Sequence, residues 1–289
     1  MLKKTIKIGL ALYSTDNETK FGTKKLNIQT KRLKECNNFF KKNLLEDYVV
    51  DIFFHGWNDV ISSKVIRYFN PIKFKLSKIN FDKKLIAKYK MEFINYYDDV
   101  ADLKIRKIEP LLDYNNFVNK IENRFLSQTT SLSILEDYKI KNKINYDYII
   151  SSRYDLIIKK KIDLKKILTN KINTINNDKL KSFQVDDIFF VGKISNLKKL
   201  KYFYKNIRNY PIGPTRGLYY FFKQNKILIN KSFQNNSIIS GDIYYKYFKI
   251  SFFEKIIQKT IFAIVKTIDF FQINLRKVKF FLYKKIANN

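Results

Sequence analysis

The sequence predicts an α/β protein whose mostly parallel sheet is flanked by helices. Segments 5–13 and 48–54 are short apolar runs rich in β-branched and aromatic residues, as buried strands are. The segment 24–43 between them carries apolar residues at helical spacing. A strand, a helix and a second strand in this order form the unit of a parallel sheet with a right-handed crossover.

The later elements are predicted from the same two periodicities and from turn residues. We expect, in chain order, a short helix over 62–68, a break at Asn70 and Pro71, a strand over 72–81, a helix over 85–97, a long helix over 117–143, a strand over 146–158, a polar loop or short helix over 163–181, a strand over 184–192, a helix over 195–206, a turn over 210–214, a helix over 215–224 and a strand over 226–230.

Composition limits the chemistry that the chain can perform. The 289 residues are 45% hydrophobic and 16% aromatic, which is enough for a packed core and argues against disorder. There is one Cys, Cys36, and one His, His55, so no disulfide can form within the chain. Zinc sites built from Cys and His are excluded, because they need several such ligands. Any metal is expected to be a hard cation held by carboxylate and phosphate oxygens.

The formal charge of +31 predicts polyanionic partners: nucleic acid, an anionic membrane or nucleotide diphosphates. A second interpretation stays open, because Lys, Asn and Ile are over-used together, as an adenine- and thymine-rich genome produces. Only eight of the 57 basic residues are Arg, the residue whose fork suits phosphate best.

The character of the chain changes near position 251, which divides it into a main domain over 1–250 and a tail over 251–289. The tail combines an apolar helical stripe with eight basic residues, against Glu254 and Asp269. A basic amphipathic helix is typical of binding to a membrane surface, and a terminal helix packed on the domain is the alternative. We expect that the N-terminal segment is not a signal peptide, because Lys7 breaks its apolar run, and we expect no membrane span, because no window holds 18 uncharged apolar residues. We expect a cytoplasmic protein, peripheral at the inner face of the membrane.

The strand over 146–158 contains the best candidate for an active site. Arg153 and Asp155 lie at its far end, and charges in a buried strand are costly unless they are paired or emerge at the edge of the sheet. Ligands of open α/β sheets bind at the carboxyl ends of the strands. An Arg and an Asp at that position can hold a phosphate and a metal ion.

Four segments in order resemble glycosyltransferase-like proteins of lipopolysaccharide and surface-polysaccharide loci, over roughly residues 5–235. They are Val-Asp-Ile-Phe-Phe-His-Gly-Trp ending at Trp57, Ser-Gln-Thr-Thr-Ser beginning at Ser127, Tyr-Asp-Tyr-Ile-Ile-Ser-Ser-Arg-Tyr-Asp-Leu ending at Leu156, and Asp-Asp-Ile-Phe-Phe-Val-Gly ending at Gly192. The resemblance implies a GT-A or Rossmann-like fold that holds a nucleotide-sugar donor at the strand ends. A divalent metal on an Asp-x-Asp usually assists such enzymes.

This chain departs from that pattern at the metal position, which reads Arg153-Tyr-Asp155. By the resemblance, Arg153 would neutralise the donor diphosphate through a bidentate contact, and Asp155 would hold one Mg²⁺ or Mn²⁺. A structural Arg–Asp pair at a strand end is the competing interpretation.

The resemblance also implies roles for residues at neighbouring strand ends. One of Asp186 and Asp187 would be the general base for the acceptor hydroxyl, unless the two are a solvated turn pair. Gly192 would allow close backbone approach to a ligand, or is a turn glycine.

Residues after the first two strands are expected near the nucleotide. Trp57 would pack on a base or sugar face, and His55 lies beside it, although a hydrogen-bonded loop histidine is an alternative for His55. Tyr13 and Ser14 are placed near the base or ribose by position, and Gln128 on the long helix is a weaker candidate.

The sequence therefore predicts a glycosyltransferase that moves a sugar from a nucleotide-sugar to a glycan or lipid-linked acceptor in surface-polysaccharide synthesis. One alternative is a nucleic-acid-binding protein, which the charge and the aromatic content allow but no known motif supports. The other is an inactive membrane-peripheral scaffold that keeps the same fold.

Overall fold

A computed structural model describes residues 6–14, 23–78, 110–176, 184–210, 214–234 and 237–240. The helix predicted over 85–97, the domain boundary at 250 and the basic tail over 251–289 lie outside the described residues.

Strands and helices alternate from the first strand to the fourth, as the sequence predicts, and the later elements are a run of strands, a run of helices and two final strands. The described elements are β1 (Lys7–Tyr13), α1 (Thr23–Phe40, continued by a π-helical turn over Lys41–Leu45), β2 (Val49–Trp57), α2 (Val60–Phe69), β3 (Lys73–Ser77), α3 (Pro110–Lys141), β4 (Tyr148–Arg153), β5 (Leu156–Ile158), β6 (Ile172–Asn176), β7 (Phe189–Gly192), α4 (Ile194–Leu197), α5 (Leu200–Lys205), α6 (Pro214–Gln224), β8 (Ile229–Gln234) and β9 (Ile238–Ser240).

Seven of the strands form one mixed sheet in the order β3-β2-β1-β4-β7-β6-β8. The pairs β2–β3, β1–β2, β1–β4 and β6–β8 are parallel, whereas β7 is antiparallel to both β4 and β6. This confirms the predicted α/β class with a mostly parallel sheet and flanking helices. β5 leaves this sheet and pairs with β9 in a separate antiparallel ribbon.

The alternation of side chains along the central strands divides the hydrophobic core between the two faces of the sheet. Ala11 of β1 packs in one cluster with Leu132 and Leu135 of α3, and Leu10 and Leu12 pack in the other with residues of α1 and α2. Gly9 lets α3 approach β1, because a Cβ at this position would lie 2.8 Å from Leu135 Cδ1. The helix is thereby held against the middle of the sheet.

Local signals fix both ends of α2. The Asp59 carboxylate accepts a hydrogen bond of 2.7 Å from Ser62 N and caps the first turn. At the other end Asn70 takes the left-handed conformation, with φ 47°, and its N–H bonds to Ile66 O. The break predicted at Asn70 and Pro71 is confirmed.

Two predicted strands and one predicted polar loop are corrected by the structure. The segment 146–158 is two strands, because a turn at Tyr154 and Asp155 sends β5 into the second sheet. The strand predicted over 184–192 begins only at Phe189. The polar segment 163–181 contains β6, a buried strand of the main sheet. Its Asn173 and Thr174 side chains bond to backbone carbonyls, which makes polar residues tolerable inside the sheet.

None of the helices in the described part of the chain combines the length and the apolar character needed to span a membrane.

Candidate functional site

The centre of the candidate site is a row of three residues in register across neighbouring strands. Tyr13, the last residue of β1, pairs with His55 of β2 on one side and with Arg153 of β4 on the other. Strand order reverses here, because the chain runs from β1 to β2 and β3 on one side and returns to β4 on the other. Such a switch point at the carboxyl ends of parallel strands is where open α/β sheets bind ligands.

The antiparallel direction of β7 brings the residues that precede it to the same edge. Tyr13 donates a hydrogen bond of 2.7 Å to the backbone carbonyl of Asp187, and Arg153 N donates one of 3.1 Å to Ile188 O. Asp187 is 4% exposed. The structure therefore brings the segment that contains Asp186 and Asp187 next to Arg153, although neither aspartate belongs to the strand.

Two arginine–carboxylate pairs lie at this edge. Arg153 forms a bidentate pair with Asp155, with Nε 2.8 Å from Oδ1 and Nη2 2.5 Å from Oδ2. Arg124 of α3 places Nη1 2.9 Å from Oδ2 of Asp187. Both arginine side chains are only 14% exposed. The site thus combines two positive and two negative groups from three separate parts of the chain.

These charges and their burial determine the protonation of the central residues. Burial alone would lower the pKa of Arg153, but the Asp155 carboxylate and its hydrogen bond raise the pKa by more, so the guanidinium stays charged. Burial raises the pKa of the Tyr13 phenol well above its usual value, and nearby Arg124 opposes that rise. Tyr13 therefore remains a hydrogen-bond donor at neutral pH.

His55 belongs to a closed hydrogen-bond network under the site. Its Nδ1 lies 2.9 Å from Ser127 Oγ and its Nε2 lies 2.9 Å from Ser77 Oγ. Ser127 Oγ donates to the His55 carbonyl and accepts from Ser14 N over 3.0 Å. The network is satisfied when His55 carries its proton on Nδ1 and accepts from Ser77 at Nε2.

Burial, assisted by the positive charge of Lys75, lowers the pKa of His55 to about 4. His55 is therefore a neutral structural group at physiological pH. This geometry matches the alternative of a hydrogen-bonded histidine better than a ligand contact. Ser14, whose backbone joins the same network, holds the end of β1 against α3.

The structure places Trp57 inside the protein, at 1% exposure, with its ring edge-on to His55 at a centroid distance of 5.4 Å. Its backbone N donates to Ser62 Oγ. Its indole Nε1 is buried and makes no hydrogen bond within the described part of the chain. The expected stacking of Trp57 on a base or sugar requires a surface that the buried ring does not present.

Asp186 and Asp187 have different surroundings, although the sequence does not distinguish them. Asp186 Oδ1 accepts from Ile188 N over 3.2 Å, and its carbonyl accepts from the Thr174 hydroxyl, so Asp186 shapes the turn into β7. The carboxylate of Asp187 instead meets Arg124. Neither is the solvated turn residue of the alternative interpretation, because both are buried.

Gly192 is not brought together with the other candidates. Because β7 is antiparallel to β4, Gly192 pairs with Ile149 near the amino end of that strand, whereas Phe189 pairs with Ser152. A Cβ on Gly192 would lie 3.2 Å from Lys171 O, so the glycine permits close packing before β6. A ligand contact of Gly192 stays a prediction, and the structure shows a packing role for this glycine.

The donor set at Asp155 does not fit a divalent cation in this arrangement. Both carboxylate oxygens accept from Arg153, whose guanidinium occupies the position next to them. No group of three or more His, Cys, Asp or Glu side chains suited to a metal is found among the described residues. Mg²⁺ or Mn²⁺ at Asp155 stays a prediction that requires the ion pair to open.

No protein-family model and no curated protein matches this chain.

Sequence reasoning missed Arg124 and gave Ser127 no role. Both lie on the inward side of α3 near Phe125, next to the stripe that was assigned to packing. Gln128 lies there too, with Nε2 3.3 Å from the hydroxyl of Ser151 in β4. The available signal was an Arg near the inward face of a helix in a chain that has only eight arginines. Polar residues on such a face must find partners, and they mark a helix that borders a site.

Proposed function

We propose that the protein is a glycosyltransferase of GT-A type that transfers a sugar from a nucleotide-sugar to a glycan or lipid-linked acceptor in surface-polysaccharide synthesis. The observation that supports it best is the register pairing of Tyr13 with Arg153 at the switch point between β1 and β4. Arg124 and Asp187 come from other elements to the same edge. A sheet edge that carries two arginines and two carboxylates at this position suits a nucleoside diphosphate and a hydroxyl nucleophile.

In the proposed reaction the oxygen of the acceptor hydroxyl forms a bond to the anomeric carbon of the donor. The bond between that carbon and the diphosphate oxygen breaks, and the nucleoside diphosphate leaves with the bonding electron pair. Asp187 accepts the proton of the hydroxyl. The arginines stabilise the charge that develops on the leaving group, which is the largest electrostatic demand of the reaction.

The membrane association and the cytoplasmic location are part of the proposal. A charge of +31 favours an anionic surface, and lipid-linked acceptors are found there. The basic tail over 251–289 would supply the contact.

Thermal unfolding with a panel of nucleotide-sugars and nucleoside diphosphates, each with and without Mg²⁺ or Mn²⁺, tests the proposal. A ligand that binds the folded state raises the melting temperature by mass action. We expect one nucleotide class to raise it, and its diphosphate to do so too. A well-folded protein that responds to none of these donors would reject the transferase.

The scaffold is the second candidate, because both carboxylates of the site are already paired with arginines. Vesicle binding without any donor binding would support it. Tight, salt-sensitive binding of random oligonucleotides without donor binding would instead support a nucleic-acid-binding protein.

A further inference from the structure

Arg124 has one edge of its guanidinium occupied and another edge buried without a well-placed acceptor. Nη1 faces Asp187 Oδ2 at 2.9 Å. Nε and Nη2 are buried and have no acceptor in good hydrogen-bond geometry within the described part of the chain, although the Tyr13 hydroxyl lies close enough to the Arg124 side chain to interact with it. Buried N–H groups without an acceptor cost about 1–3 kcal/mol, and more when the group is charged. A ligand acceptor at these atoms would remove that penalty.

Nε and Nη2 together form a fork that fits two oxygens of one anion. The neighbouring Arg153 shows the same fork in use, because its Nε and Nη2 bind Oδ1 and Oδ2 of Asp155. In Arg153 this edge is therefore already hydrogen-bonded to a carboxylate of the protein itself. Among the described residues, Arg124 has no such carboxylate at the equivalent edge, at the same end of the sheet.

The protein holds Arg124 in place before any ligand arrives. The contact with Asp187 fixes one end of the guanidinium, and Asp187 is itself fixed by the bond from Tyr13 to its carbonyl. One turn further along α3, Ser127 ties the helix to Ser14 and His55. A preorganised fork binds without the cost of ordering a long side chain.

We propose that Arg124 binds a two-oxygen anion, a phosphoryl or a carboxylate group, through Nε and Nη2 beside Asp187. Under the proposed function, on which this assignment to the donor rests, the anion is the diphosphate, and Arg124 contacts it directly whereas Arg153 contributes its positive charge. A carboxylate on an acidic sugar is the other source of the same chemistry. The charges of the two arginines and two aspartates of the site sum to zero. The affinity for an anion therefore depends on the directed hydrogen bonds from Nε and Nη2.

Calorimetric titration at 0.15 M salt with inorganic pyrophosphate and, separately, D-glucuronate tests the proposal. The variants are Arg124→Gln, which removes charge and fork, and Arg124→Lys, which keeps the charge alone. Arg67→Gln on the exposed end of α2 is the matched control for the general charge. We expect one site in the wild type, at least a tenfold loss in Arg124→Gln, a smaller loss in Arg124→Lys and no change in Arg67→Gln.

Binding of pyrophosphate alone or of both probes identifies the phosphoryl source, and binding of glucuronate alone identifies the carboxylate source. The proposal is overturned if the wild type binds neither probe, or if folded Arg124→Gln binds as the wild type does. Should Arg124→Gln not fold, equal affinities of the wild type and Arg124→Lys would overturn the bidentate contact.

The proposed function can fail separately from this inference. Arg124-dependent pyrophosphate binding without any sugar transfer would keep the anion site and reject the transferase. Transfer at the wild-type rate in Arg124→Gln would keep the transferase and reject the assignment of Arg124 to the donor.

Discussion

The Tyr13 hydroxyl donates to the backbone carbonyl of Asp187 over 2.7 Å, and this bond joins two positions that are 174 residues apart. It fixes the loop before β7 to the end of β1. The loop carries the carboxylate that we assign as the base, so the position of that carboxylate depends on a phenol in the neighbouring strand.

Tyr13→Phe should therefore lower turnover more than stability. Loss of one buried bond costs about 1 kcal/mol, whereas a displaced Asp187 lowers kcat by about tenfold or more. Urea unfolding and transfer rates measure the two effects. Tyr146→Phe is the matched control, because its hydroxyl bonds to Asp51 Oδ2 at 2.8 Å near the amino ends of the strands. Equal losses of turnover in the two variants would contradict a specific role for Tyr13.

His55 should titrate near pH 4, and because it is the one histidine in the chain, its imidazole proton resonances can be assigned without ambiguity. The pKa is lower in the folded than in the unfolded state, so His55 contributes stability above about pH 6.5 that is lost as the pH falls towards 4. The difference between the folded-state and unfolded-state pKa values corresponds to about 3 kcal/mol of stability. In His55→Gln, unfolding between pH 6.5 and 4 should be less sensitive to acid. A measured pKa above 6 would contradict the closed network.

The Arg153–Asp155 pair should show energetic coupling that an exposed pair lacks. Each single replacement by Ala leaves a mostly buried charge unpaired. The losses of stability in the two single variants should therefore add up to more than the loss in the double variant. We expect a coupling of about 1 kcal/mol or more in a double-mutant cycle. Lys161 and Asp47, 62% and 41% exposed with a contact of 3.0 Å, are the control and should give at most about 0.5 kcal/mol. Full transfer activity in both single variants would show that the Arg153–Asp155 pair takes no part in the reaction.

Glu122→Met should raise stability at neutral and alkaline pH. Glu122 is 5% exposed, its Oε2 is buried without a hydrogen bond within the described residues, and burial raises its pKa. A raised carboxyl pKa means that the folded state loses stability as the pH rises above the unfolded value of about 4.3. The gain in the midpoint of thermal unfolding should be larger at pH 8 than at pH 4.5. A lower midpoint at pH 8 would show that the carboxylate has a partner in the folded protein.

The sequence predicts the elements around the first βαβ unit well, because each signal there is local. The apolar run that ends at Tyr13, the Asn70–Pro71 break and the inward residues Phe125, Leu132 and Leu135 all appear as expected. Strand direction is not local, since it depends on which neighbour a strand finds. The antiparallel β7 therefore could not be predicted, nor could the pairing of Gly192 with Ile149 near the amino end of β4.

The candidate site was predicted in part. Arg153, Asp155, Tyr13 and Asp187 come together because strand ends share an edge. The pairing of Arg153 with Asp155, rather than with a ligand or metal, depends on a turn at Tyr154 that a continuous apolar pattern hides. Arg124 was missed because a helix remote in sequence contributes it.

Trp57 and His55 are each the single residue of their kind in the chain, and their rings lie 5.4 Å apart beneath the switch point. All indole emission therefore originates at one known place, a few ångströms from the proposed binding edge. Protonated imidazole quenches indole, so intensity against pH would follow His55, and a change with added ligand would report occupancy. The native protein carries an optical probe of its own site, and no label needs to be introduced.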